Sequence, residues 1–244
     1  MTIPPASLLA DAEPPTAATE SKRDYQANAI QWAVLTALLA APARDNAPLR
    51  AFLASRGEGP EAERCTPAAE VCDFSCGVAS LDEGLRRDAA KSVARRDDNW
   101  RDDAVRDTFV VLQERRVLAY FTQRLCFVRR PGAEPATEAP AKAETIPLIQ
   151  LQRLAVDRSV QGRGVGSALL RQAVLRAVSL AGNCSAPALW VPALSAETRR
   201  FYLARGMQPF PVILDPLGVL LTFDTVRKAM ASGAVAEDRG TKLR

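Results

Sequence analysis

Leu148-Ile149-Gln150-Leu151-Gln152-Arg153-Leu154-Ala155-Val156-Asp157-Arg158-Ser159-Val160-Gln161-Gly162-Arg163-Gly164-Val165-Gly166 decides how this chain is read. An apolar strand over Ile146–Val156 runs directly into a glycine-rich loop, Gln161–Gly166, and a helix begins at once. Glycines let the backbone turn tightly and approach a ligand closely. The new helix adds free N–H groups and the positive end of its dipole. Such a loop is an anion site suited to a pyrophosphate. Two rival readings fail on spacing. A P-loop needs a lysine after the glycines, and none follows; a dinucleotide loop needs Gly-x-Gly-x-x-Gly with an acid about 20 residues on. Here the glycines run Gly-x-Gly-x-Gly, and the next strand, Ala188–Val191, carries no carboxylate.

Working outward, the strand–helix unit sits within an α/β pattern. Leu81, Leu85, Ala89 and Val93 repeat at helical spacing, behind a Ser80–Glu83 capping box that opens a helix to about Arg96. Thr108–Gln113 and Val117–Val128 read as a hairpin about the Glu114–Arg116 turn. The helix after the glycine loop shows Val165, Leu169, Leu170, Ala173, Val174 and Ala177 on one face, as expected of a helix covering a sheet. Ser195 caps a further helix that Gly206 stops. Met207–Leu214, weakened by Pro209 and Pro211, and Val219–Phe223 complete the strands. The order predicts a three-layer sandwich, a central mixed sheet flanked by helices. Residues 1–23 read as a disordered arm and 24–70 as a helical extension and linker. In that extension Ile30, Val34, Ala37, Leu38 and Ala41 share a face. Residues 71–224 form the main domain, 131–145 a long Pro/Ala/Glu loop, and 225–244 a polar tail, helical at its start at most.

Composition is that of an ordinary soluble protein, 48% hydrophobic and 25% charged, with a net charge of only +4. Arginines cluster nonetheless: Arg86, Arg87, Lys91, Arg95 and Arg96, then Arg115, Arg116, Arg124, Arg129 and Arg130. These are either a solvated helix face or a footprint for a phosphate backbone. No histidine exists, so neither a Ser-His-Asp triad nor a Cys-His pair is possible, and no metal site is expected. Five irregularly spaced cysteines fit reduced thiols in the cytoplasm. The apolar run Ala29–Ala41 is too short to span a membrane and too deep in the chain to be an export signal.

Three segments together resemble the GNAT acetyltransferases, and within them the tRNA-acetylating toxins of bacterial toxin–antitoxin pairs. Gln161, Gly164 and Gly166 meet the family's Gln/Arg-x-x-Gly-x-Gly/Ala signature. Asp73–Asp82 is similar to the toxin branch's Phe-x-Cys-Gly-x-x-x-Leu-Asp opening. Arg153–Arg158 and Arg200–Met207 resemble its coenzyme strand and its Phe-Tyr-x-x-x-Gly-Phe helix end. The match covers roughly residues 71–224. Gly84, where members commonly carry a large aromatic, and Met207, in place of phenylalanine, depart from the pattern.

The resemblance implies acetyl-CoA as co-substrate. The amides of Gln161, Gly162, Arg163, Gly164, Val165 and Gly166, with the Arg163 side chain, would hold its pyrophosphate. Main-chain groups of Leu154, Ala155 and Val156 would pair with its pantetheine arm, the Val156 N–H facing the developing oxyanion. It implies Tyr202 as general acid, against the reading of a core tyrosine, and Cys76 as a small buried residue rather than a nucleophile. Aminoacyl-tRNA is the implied substrate, with Arg86, Arg87, Lys91, Arg95, Arg96 and Arg124 beside the acetyl site. A ribbon-helix-helix antitoxin and a homodimer are the implied partners. A GNAT enzyme for a small-molecule or protein amine, and a non-catalytic acetyl-CoA-binding interaction module, are the alternatives.

Overall fold

The computed structural model describes residues 31–55, 61–65, 71–94, 106–129, 145–210 and 216–241. The expected arm at 1–23, the loop at 131–144 and the strand residues 211–214 lie outside them. Seven strands form one sheet in the order β1-β2-β3-β4-β5-β7-β6. They are β1 (Glu63–Arg64), β2 (Arg106–Gln113), β3 (Arg116–Arg129), β4 (Thr145–Val156), β5 (Ala188–Val191), β6 (Gln208–Pro209) and β7 (Val219–Thr222). Every neighbouring pair is antiparallel except β4 and β5. A parallel pair needs a crossover, and α4 (Val165–Cys184) supplies it.

The layers follow from where apolar side chains fall. On one face α4 buries Leu169, Leu170, Ala173, Val174, Ala177 and Ala181 against Ile149, Leu151, Leu189, Val219 and Leu221. This nearly reproduces the expected stripe. The same core receives Leu49, Phe52 and Leu53 of α2 (Ala47–Ala54), Tyr202 of α5 (Ala196–Leu203) and Val226 and Ala229 of α6 (Phe223–Thr241). On the other face α3 (Ala79–Ala94) packs Leu81 and Leu85 on Val110, Val117 and Tyr120. Beside it α1 (residues 31–40) packs Leu35 on Leu148, Ala188, Phe210 and Leu220.

Four expectations change. Ser80 does not cap α3, which already includes Ala79; the Leu81 and Asp82 amides instead bond the Val78 carbonyl, and the Asp82 carboxylate turns back to the Cys76 amide at 2.9 Å. The polar tail is the 19-residue α6, because burial of Phe223, Val226 and Ala229 secures what the Ala-rich sequence does not announce. The apolar face of α1 turns on Leu35, which is fully buried, with Val34 and Leu38 at its margin. Glu63 and Arg64, read as linker, join the sheet edge. The extension is therefore woven into the domain: Asn46 caps α2 and donates to Gly206 O at 2.7 Å, and Arg171 of α4 donates to Leu53 O at 2.8 Å.

Candidate active site

Strands β4 and β5 pair only at Ile149 with Leu189 and Gln150 with Trp190, then part. Beyond that point one edge of β4 has no strand beside it among the described residues. A bulge lies there: Thr122 and Gln123 of β3 face Arg153 and Leu151, so Gln152 is an extra residue on β4. The bulge flips the alternation. Ile149 and Leu151 face α4 before it, and Leu154 and Val156 do so after it, while Ala155 joins the α3 side. In an antiparallel ladder both polar groups of a residue point the same way, alternating along the strand. The Asp157 amide donates to Leu118 O of β3 at 2.8 Å, so Val156 presents its N–H and C=O to the open edge. The carbonyl is taken by Gln161 Nε2 at 2.8 Å. The Val156 N–H is left facing the gap.

The turn below is held by Asp157, which sequence reasoning missed. Its carboxylate accepts from Ser159 N (3.0 Å), Ser159 Oγ (2.5 Å), Ser75 N (3.0 Å) and Arg116 Nη2 (3.3 Å). Burial pushes its carboxyl upward, but the Ser159, Ser75 and Arg116 interactions outweigh that and hold it below the usual carboxylate range. Capping of the Arg158–Val160 turn by an aspartate was a readable signal in Asp157-x-Ser159. The turn delivers Gly162 and Gly164 at φ +75° and +82°, left-handed conformations that favour glycine. Gly164 caps α4 with no side chain bonding its opening amides, and nothing stands within 4 Å of where a Cβ would project from either glycine. An open row of amides, the exposed Arg163 and a 20-residue helix behind them fit a pyrophosphate. The Gln161 side chain itself is committed elsewhere, tying Val156 O and Cys76 O (3.0 Å) together.

Tyr202 is 4% exposed and stacks edge-on to Phe201, with ring centroids 5.2 Å apart. Its hydroxyl makes no hydrogen bond among the described residues, and its ring lies in the core shared with α4. Burial pushes the phenol far above its ordinary range, and the nearby charge of Arg205 pulls it partly back. At neutral pH the phenol therefore keeps its proton. Cys76 is half-buried with its thiol pushed up to about 11, by burial first and then by Asp82, so it is no nucleophile at neutral pH.

The arginines divide. Arg86 and Arg87 are exposed on α3, but Arg86 also reaches Cys72 O and Phe74 O at 3.5 and 3.4 Å, bracing the loop before its own helix. Arg124 stands on the α1/α3 face and donates to Gln150 Oε1. The Lys91 side chain, Arg95 and Arg96 lie outside the described residues. A pair missed from sequence is Arg153 with Asp88, 2.7 Å apart and 12% and 5% exposed, which Thr108 and Thr122 hydroxyls complete at 3.0 and 3.3 Å. Gly84 makes room for it: a Cβ there would lie 2.6 Å from Arg153 Nε. Beside the parting strands, Gln152 Oε1 and Trp190 Nε1 are buried without partners. Cys72, Cys76, Cys126 and Cys184 are free thiols, and among the described residues no cluster of acids and cysteines could hold a metal.

The fold and site define a class: an acyltransferase that draws its acyl group from coenzyme A. Residues 107–208 match the family model for the acetyltransferase (GNAT) domain. The chain is 32% identical over 169 residues to a tRNA-acetylating toxin of Mycobacterium tuberculosis (strain ATCC 25618 / H37Rv), spanning 67% of this chain and 92% of that protein. The chain belongs to the GNAT acetyltransferase family and catalyses N-acetyl transfer from acetyl-CoA. Its fold is shared with AtaT complexed with acetyl-methionyl-tRNAfMet (TM-score 0.55, 23% identity, 70% of this chain and 98% of that one). It is also shared with AtaTR bound with AcCoA (TM-score 0.56, 23% identity, 70% and 97%) and with the KacTA–DNA complex (TM-score 0.55, 19% identity, 70% and 98%). Among the described residues no helix is long and apolar enough to cross a membrane.

Proposed function

We propose that this protein is a toxin that acetylates the α-amine of an aminoacyl-tRNA and so stops that residue from entering a peptide bond. The observation that carries this reading is the 32% identity to a tRNA-acetylating toxin across 92% of that protein's length. Acetyl-CoA supplies an activated thioester carbonyl. Every other part of the chemistry falls to this chain. The 162–166 amides and Arg163 bind the pyrophosphate; the open edge of Leu154–Val156 lines up the pantetheine arm. The Val156 N–H meets the charge that develops on the acetyl oxygen, and Tyr202 protonates the departing sulfur.

Asp82, Asp88 and Asp157, the buried carboxylates around the strand among the described residues, are all engaged by protein donors, which leaves none of the three as a dedicated base. An α-amine suits such a site. With a pKa near about 7.8, roughly a third of it is neutral at pH 7.5, against about 0.1% of a lysine. Arg86, Arg87 and Arg124 contribute a cationic margin for the tRNA backbone. A ribbon-helix-helix antitoxin covering the site, and a homodimer, complete the proposal; AtaT, of the same fold, binds the C-terminus of the antitoxin AtaR.

The test incubates the protein with labelled acetyl-CoA and a pool of charged tRNAs, with uncharged tRNA and Tyr202→Phe as controls. The expected result is label on charged tRNA alone, lost in the variant. Transfer to small or protein amines but to no tRNA would replace this reading with that of a general amine acetyltransferase.

A further inference from the structure

Arg205 lies three residues beyond Tyr202, where α5 gives way to Gly206. Its Nη1 donates to Phe201 O at 2.6 Å and its Nη2 to Ser167 Oγ at 2.5 Å, while its guanidinium lies 3.6 Å from the Phe201 ring centroid. Ser167 stands in the first turn of α4, its own amide bonded to Gly164 O at 2.9 Å. One side chain therefore joins the helix that carries the phenol to the turn whose amides form the anion cradle. A planar guanidinium with several fixed donors can hold two such contacts and a ring face at once; an ammonium cannot.

A buried phenol is a reluctant acid, because giving up its proton strands a negative charge away from water. Arg205 is the one charged group acting on Tyr202 among the described residues, and it acts to ease that charge. We propose that Arg205 is a positioning residue for Tyr202: it fixes the phenol relative to the coenzyme cradle and sets a cation beside the phenolate that proton donation leaves. In that step the Tyr202 O–H bond breaks and an S–H bond forms on the departing sulfur. The negative charge passes from sulfur to the phenol oxygen, and nothing is oxidised or reduced. The inference rests on the reading of Tyr202 as the acid.

The experiment is a double-mutant cycle on the full chain, with acetyl-CoA affinity by calorimetry and thermal midpoints measured alongside kcat. Tyr202→Phe comes first; a wild-type rate there would overturn the acid itself, and Arg205's role with it. With that variant impaired, Arg205→Met should lower kcat about 30–100-fold, keep the acetyl-CoA Kd within about threefold, and cost almost nothing further in the Tyr202→Phe background. Arg205→Lys should restore part of the lost kcat by returning the charge. A fluorotyrosine at position 202, titrated by absorbance without coenzyme, should show its midpoint rise when Arg205 is replaced by Met. A wild-type kcat in Arg205→Met, an equal loss in both backgrounds, or a loss confined to Kd and thermal midpoint would overturn the role and leave Tyr202 standing.

Discussion

Replacing Gly84 with alanine pits two effects of known size against each other. Inside an exposed helix the change stabilises by up to about 1 kcal/mol, because glycine gives up more backbone entropy. Here the new Cβ would sit 2.6 Å from Arg153 Nε and 2.8 Å from its Cζ, closer than any atoms tolerate. The guanidinium must move, and it is anchored 2.7 Å from the buried Asp88 carboxylate. Breaking a buried pair costs about 3–5 kcal/mol. Asp88 would keep the Thr108 and Thr122 hydroxyls, which places the loss near the lower figure. The net is about 2 kcal/mol of destabilisation, or roughly 4–8 °C in Tm for a chain of this size. Thermal unfolding followed by circular dichroism measures it, with Arg153→Met as the second background. There the alanine has no guanidinium to displace, so its sign should reverse to a small gain. A higher Tm for Gly84→Ala in the otherwise native chain would refute the reasoning, since it would mean that Arg153 does not lie across this glycine.

Three further outcomes are expected. Asp157→Asn should cost about 2–3 kcal/mol at neutral pH. Because the folded carboxyl is depressed, that deficit should shrink as pH falls below about 4 through the lower folded value, as read by urea unfolding across pH. Cys76, with its thiol pushed up to about 11, should react with iodoacetamide at pH 7.5 at least about 100-fold more slowly than free cysteine, measured by mass spectrometry of the labelled peptide. Leu35→Ala should destabilise the whole domain by about 2–5 kcal/mol in a single cooperative transition, because its side chain is fully buried against the sheet. A separate low-temperature step in calorimetry would show instead that α1 melts alone.

What the sequence disclosed and what it hid follow one physical line. Local signals spoke plainly where a residue does locally what its type prefers. Gly162 and Gly164 take left-handed turns, Ser195 caps α5 by accepting from Thr198 N at 3.1 Å, and the stripe from Leu169 to Ala177 faces the sheet. Signals failed where a distant contact decides. Ser80 has the spacing of a cap, but Ser75, Cys76 and Asp82 form the knot that opens α3. The segment after residue 223 has little apolar character of its own, and only the core shows why it is a helix. The contacts of Asp157 with Ser75, Arg153 with Asp88, and Arg205 with Ser167 join residues 38 to 82 positions apart, beyond the reach of any periodicity. Of the arginines grouped by sequence, Arg86 and Arg124 turn out to be partly occupied by carbonyls and by Gln150, so a cluster in sequence overstated the free charge in space.

The extra residue at Gln152 makes β4 a strand with two reading frames. Up to Leu151 odd-numbered side chains enter the α4 core, and from Leu154 even-numbered ones do. Removing Gln152 would merge the two frames without turning any side chain over: Leu151 and Leu154 would still enter the α4 core, with Arg153 between them on the α3 side. What the chain would lose is the bend and extra twist that a bulge gives a strand, here just past its last pairing with β5. The position is a spacer: its length sets how far β4 leans from β5, and the cores on either side of the sheet are indifferent to it.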